Sequence, residues 1–152
     1  MSFEALGFAV HVKGGHAIEL PAWRMLVKIP ASATEGRFTV LEGHMAPRLG
    51  GPPPHIHDAH DEAFYVLDGR MRFRIGEDER DVVAGEMAFA SRQLVHGFMN
   101  PTDEPAVYLA VISPSGYEDY FEEVAAYLAK HAAMPDRKQM QVLMRKYATR
   151  LA

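Results

Sequence analysis

Turn-forming residues divide the first 113 positions of this 152-residue chain into short runs, and that punctuation limits the fold more than any other feature. Gly14-Gly15, Pro30, Gly50-Gly51-Pro52-Pro53-Pro54, Asp68-Gly69, Gly76-Glu77-Asp78, Ala84-Gly85 and Asn100-Pro101 separate runs that are apolar or alternate apolar with polar. Strands are expected at 7–12, 24–29, 37–46, 62–68, 70–76, 79–84, 86–90, 95–99 and 105–113. In Met71-Arg72-Phe73-Arg74-Ile75 apolar residues alternate with arginines, the pattern of a strand with one buried face. Asp68-Gly69 between two β-rich runs predicts a hairpin. Many short strands with frequent turns predict a mainly β fold, a closed barrel or jelly roll.

The pattern changes near residue 114. Tyr117, Tyr120, Phe121, Val124 and Leu128 recur at spacings of three and four, which predicts a helix with one apolar stripe. Ser115 and Glu118 have the spacing of a capping box. Acidic Glu118, Asp119, Glu122 and Glu123 crowd the start, and Lys130 and His131 sit at the end, as the helix dipole favours. Pro135 opens a second helix with Met140, Leu143, Met144 and Tyr147 on one side and mostly basic charges elsewhere. Both helices are expected to pack on the outside of the barrel or on a second subunit. The whole chain reads as one domain, residues 1–152, with a barrel to about 113 and a helical extension from about 114.

Composition narrows the chemistry. Hydrophobic residues are 48% and charged residues 24%, enough apolar material for a packed core. The net charge is −4 and no long basic run exists, so nucleic acid is not an expected partner. Cysteine is absent, so any metal must be held by nitrogen and oxygen. No run approaches the ~18 apolar residues of a spanning helix, and the first residues lack the pattern of a secretory leader. A soluble, cytoplasmic protein without a membrane partner is expected.

The informative stretch is residues 50–69, GGPPPHIHDAHDEAFYVLDG. On an extended strand His55 and His57 point to the same side, so both imidazoles can reach one ion. Four residues later Glu62 begins the next strand, and His96 lies on a later one. Three imidazoles and one carboxylate suit a divalent first-row transition ion, with Fe, Mn, Co, Ni, Cu and Zn all candidates. His60, in a polar turn, reads as a solvated loop residue, with a place beside the metal as the sharper alternative. Phe64, Val66, Phe73, Ile75, Met87, Phe89 and Phe98 fall on the alternation of inward positions. Those nearest the metal, Phe64, Met87, Phe89 and Phe98, are expected to line an apolar cavity. Glu42 and His44 share a strand face with Phe38 and Val40 and reach the same cavity if that face is inside. No inward lysine or arginine is evident, which argues against a phosphorylated sugar and for an apolar or aromatic small molecule.

These residues resemble the two motifs of the cupin superfamily. The first motif is a glycine, five residues, His-x-His, three or four residues, Glu, six residues and Gly. Here His55, His57, Glu62 and Gly69 fit, while Gly50 precedes His55 by four residues rather than five. In the second motif Gly85, His96 and Asn100 keep the family spacing, but Ser91 replaces the usual Pro and Gln93 the usual second Gly. The wording around both motifs and the two closing helices is similar to small bacterial cupins of the quercetin-dioxygenase-like group. The resemblance implies a single cupin jelly-roll barrel, a homodimer that covers the open sheet edges, and one divalent metal on His55, His57, Glu62 and His96. It also implies that Glu62 combines ligation with proton transfer. Three functions remain open on these residues. One is a metal-dependent dioxygenase for a small apolar, hydroxylated aromatic. The others are a non-catalytic metal-dependent binding protein and a cupin isomerase or lyase.

Overall fold

In the computed structural model, which describes residues 7–11 and 13–152, eleven strands and two α-helices form among the described residues. In chain order the strands are β1 His16–Leu20, β2 Trp23–Ile29, β3 Thr39–Met45, β4 His55–His57, β5 Asp61–Asp68, β6 Arg70–Ile75, β7 Asp78–Val83, β8 Met87–Ala90, β9 His96–Met99, β10 Ala106–Ser113 and, at the end, β11 Thr149–Leu151. Helices α1 Glu118–His131 and α2 Arg137–Lys146 precede β11. The expected strand at 7–12 does not form over 7–11, and residue 12 lies outside the described residues. Strand β1 was not anticipated.

The strands form two antiparallel sheets rather than one closed barrel. One has the order β1-β2-β3-β10-β5-β8 and the other β11-β4-β9-β6-β7. The architecture is a jelly-roll sandwich. Its core lies between the sheets, where Met25, Leu41, Met45, Phe64, Val66 and Tyr108 of the larger sheet meet Met71, Phe73 and Phe98 of the smaller.

The turn at Asp68-Gly69 is where the chain leaves one sheet for the other, and not a hairpin. β5 pairs with β10 and β8, whereas β6 pairs with β7 and β9. Gly69 has a φ of 76°, and a Cβ there would come within 2.5 Å of the Pro105 carbonyl oxygen. Only glycine combines that conformation with that approach. The real two-residue hairpin is Gly76-Glu77, which sets Ile75 opposite Asp78.

The capping box expected at Ser115 and Glu118 is also absent. Glu118 is buried and needs donors. Its carboxylate accepts from the Thr39 hydroxyl at 2.7 Å and from the Gly116 amide at 2.9 Å, so it fastens α1 to β3. A reciprocal box forms instead on α2, between Asp136 and Gln139. The first helix packs over the end of the sandwich that holds His57. Phe121 packs edge-on against Trp23 at 5.5 Å, and Tyr117 against His57 at 4.5 Å, so α1 closes the open end of the sandwich. The chain then returns as β11, whose register Thr149↔His57 seals β4. Among the described residues no helix is long and apolar enough to cross a membrane.

Candidate metal centre

The four predicted ligands converge. One donor atom from each of His55, His57, Glu62 and His96 lies within 4.8 Å of all the others, and all four side chains are buried. The imidazoles belong to β4 and β9 of the smaller sheet, where His55 sits directly opposite His96. Glu62 comes from β5 of the larger sheet. The site therefore spans the sandwich.

Each imidazole is oriented by its other nitrogen. His55 Nδ1 donates to the Pro53 carbonyl at 2.8 Å and His96 Nδ1 to the Leu94 carbonyl at 3.0 Å. The Thr149 hydroxyl donates to the Tyr147 carbonyl, which leaves its oxygen to accept from His57 Nδ1 at 2.8 Å. With the proton held on Nδ1 in all three rings, the Nε2 lone pairs face inward. There, His55 Nε2 stands 3.1 Å from His57 Nε2, His96 Nε2 stands 3.1 Å from Glu62 Oε2, and His57 Nε2 stands 3.4 Å from Glu62 Oε1. Converging lone pairs beside a carboxylate repel one another unless a cation joins them. Ligands about 2.1 Å from one ion lie about 3.0 Å apart at a right angle and about 3.4 Å apart at the tetrahedral angle. The two 3.1 Å spacings match the right-angle value, so these residues fit a divalent transition ion and could hold one.

Electrostatics support the same reading. Burial first, then the neighbouring His96 and His57, push the His55 imidazole down to about 4. Burial also lowers His57. Desolvation alone would raise the Glu62 carboxyl, but the imidazoles of His57, His60 and His96 around it outweigh burial and hold the group well below its usual range. The carboxylate is thus ionised, and burial favours the neutral form of the His55 and His57 rings, the states that bind metal.

The proposed cavity residues divide. Phe64 and Phe98 line an apolar cavity of about 30 Å³ beside His55 and Glu62, together with Trp23, Tyr108 and Tyr117. Met87 and Phe89 do not, being 60% and 56% exposed on the outer face while Ala88 and Ala90 point inward. The reason is volume: Ala88 lies opposite Phe64, whose ring already fills the interior with Phe73 and Phe98. Glu42 and His44 also face outward. Glu42 pairs with His44 at 2.7 Å and with Lys28 at 3.5 Å, away from the metal ligands. Their strand turns Leu41, Gly43 and Met45 inward instead. Ile75 is only partly buried. His60 departs from its solvated-loop reading and is 5% exposed. Tyr117, Thr149 and Trp23 were not anticipated in the site. The periodicity that revealed Tyr117 as a helix-stripe residue carried no sign of what the stripe covers.

Comparisons with known proteins agree with this geometry. The model of the cupin domain matches residues 41–112. An uncharacterized protein of Aquifex aeolicus is 37% identical over 62 residues, which is 41% of this chain and 50% of that relative, so the chain spans about half of its length. The polyketide cyclase RemF from Streptomyces resistomycificus superposes with a TM-score of 0.63 at 24% identity, covering 72% of this chain and 81% of that one. An RmlC-like cupin from Shewanella frigidimarina gives 0.61 at 15% identity, covering 77% and 96%. At these identities both structures establish the fold alone. What the chain shares with cupins is the match of the cupin domain model over residues 41–112 and the fold of these structures. On that fold it has a buried three-histidine, one-glutamate cluster able to bind a metal ion.

Proposed function

We propose that this protein is a metal-dependent enzyme, a dioxygenase that acts on a small apolar, hydroxylated aromatic substrate. The carrying observation is that the metal cluster opens into a cavity with an aromatic wall and no lysine or arginine among its described lining residues. A bound divalent ion would supply Lewis acidity to a substrate oxygen. The remaining work belongs to the chain. Phe64, Phe98 and Tyr117 exclude water from the cluster, and Glu62 accepts the substrate proton. An adjoining apolar cleft of about 230 Å³ shares Trp23, Pro52, Tyr120 and Phe121 with the inner cavity and gives a ring system a place to enter.

Oxygen uptake by the metal-loaded protein with a panel of flavonols and related phenols tests this reading. Stoichiometric uptake supports it. Conversion of a substrate without uptake would indicate the isomerase or lyase class. Saturable binding with neither outcome would indicate a non-catalytic binding protein.

The proposal extends to a homodimer. Strand β8 is a sheet edge, and beside it Tyr65, Leu67, Met87, Phe89 and Val111 expose a contiguous run of outward apolar positions on neighbouring strands. An unpaired edge next to an apolar face calls for cover, and a second copy supplies a matching surface through a twofold axis. Light scattering should give twice the 17.0 kDa chain mass, and Met87→Asp with Phe89→Asp should give the single mass. A monomeric parent would count against it.

A further inference from the structure

We propose that His60 is a positioning residue for Glu62: its Nε2–H holds Glu62 Oε1 away from the metal, so that the carboxylate ligates through Oε2 alone. The inference rests on the metal centre described above. Among the described side chains, His60 Nε2 is the one buried polar atom with no hydrogen-bond partner. A buried imidazole nitrogen left unmatched is costly, and it lies 3.7 Å from Glu62 Oε1, a gap that movement of about half an ångström turns into a hydrogen bond.

The surroundings leave His60 little choice of direction. Its ring lies against His57 at 3.9 Å between centroids, with the planes tilted by 32°, and at 4.7 Å against Tyr117, the residue that caps the start of α1. The ligand His57 and the helix that closes the cavity therefore set the plane of the imidazole, and that plane carries Nε2 toward the carboxylate. The two oxygens of Glu62 are then inequivalent. Oε2 faces His96 Nε2 at 3.1 Å, inside the ligand cluster, while Oε1 faces His60 on one side and His57 on the other. His60 itself is outside the group of mutually close donor atoms, so it acts on the metal through Glu62 rather than as a fifth ligand. A carboxylate held through one oxygen keeps a coordination position open for substrate. A carboxylate free to turn can close that position by binding through both.

The test compares His60→Gln with His60→Met in the full chain, loaded with Co(II). The two side chains have similar length, and only glutamine has an N–H to donate. Co(II) affinity and the visible Co(II) spectrum are both read, without any substrate. The Gln variant should stay close to the parent in both. The Met variant should bind Co(II) about 10–100-fold more weakly, the usual effect of losing a group that orients a ligand, and its visible bands should lose intensity as the carboxylate adds a second oxygen. Equal behaviour of the two variants would overturn the inference, because ring packing rather than the N–H would then be the role of His60. A loss in both variants as large as that of His57→Ala would overturn it by making His60 a ligand. A parent chain that fails to bind Co(II) would overturn the metal centre itself and this inference with it.

Discussion

Addition of a divalent transition metal to the metal-depleted protein is expected to raise its melting temperature by roughly 10 °C, and His57→Ala or His96→Ala is expected to abolish the rise. Glu62 belongs to one sheet and the three histidines to the other. An ion bound to all four ties the sheets together, and the unfolded chain offers no equivalent site. Free metal at a thousand times its Kd contributes about 4 kcal/mol to the folded state. For a chain of this size each kcal/mol is worth roughly 2–4 °C. Thermal unfolding followed by circular dichroism, with and without metal, reads the shift. An unchanged melting temperature in the presence of saturating metal would remove the centre as assigned.

The same centre should respond to pH in a defined direction. Burial pulls the His96 pKa down, but the hydrogen bond and negative charge of Glu62 outweigh burial and leave it raised. His96 is therefore the first of the three ligands to take a proton as pH falls, ahead of His57 and of His55, which is held near 4. A protonated Nε2 cannot bind metal. Below the His96 pKa each pH unit should cost about tenfold in metal affinity, with one proton released per ion bound. Competition titration against a chelator across neutral to acidic pH measures the slope. A flat profile would contradict the assignment of His96 as ligand.

Replacement of Glu62 by Gln should separate ligation from proton transfer. Glutamine keeps the side-chain length and one oxygen able to ligate, so the variant should retain a substantial part of its metal. It cannot accept a proton. If the protein is a dioxygenase, turnover should fall by about 10²-fold or more, the range for removal of a general base. The structure gives the carboxylate a reason to play both parts. The surrounding imidazoles of His57, His60 and His96 keep it ionised in spite of its burial. When an anionic substrate oxygen offsets the local positive charge, the basicity of the carboxylate rises. Near-parental turnover in metal-loaded Glu62→Gln would leave Glu62 a ligand only.

Spacing and the motif resemblance picked out four residues that the fold brings together. His55 and His57 share a strand face because alternate residues on a strand point the same way, and Glu62 and His96 stand at the intervals the two cupin motifs require. The helices were legible for a similar reason: residues 117–128 repeat at three and four, and α1 spans Glu118–His131. Alternation also placed Phe64, Phe73 and Phe98 inside. It failed on β8, because Met87-Ala88-Phe89-Ala90 is apolar at every position and hydrophobicity cannot say which parity faces in.

What the sequence determined by itself was therefore local: short strands, two amphipathic helices, and a set of metal-ligand residue types at fixed intervals. Local periodicity is a property of a few neighbouring residues, and it survives without knowledge of the rest of the chain. Only the tertiary structure decided the features that depend on pairing over long distance. The Asp68-Gly69 turn crosses between sheets because β5 finds its partners in β10 and β8. Glu118 leaves its helix cap for Thr39, 79 residues away. Thr149, 92 residues from His57, returns on β11 to hold that imidazole's Nδ1. His60 changes from a loop residue to a buried neighbour of Glu62 because Tyr117, brought by α1, covers it. Each of these is settled by a partner far along the chain, and that partner is absent from the local sequence.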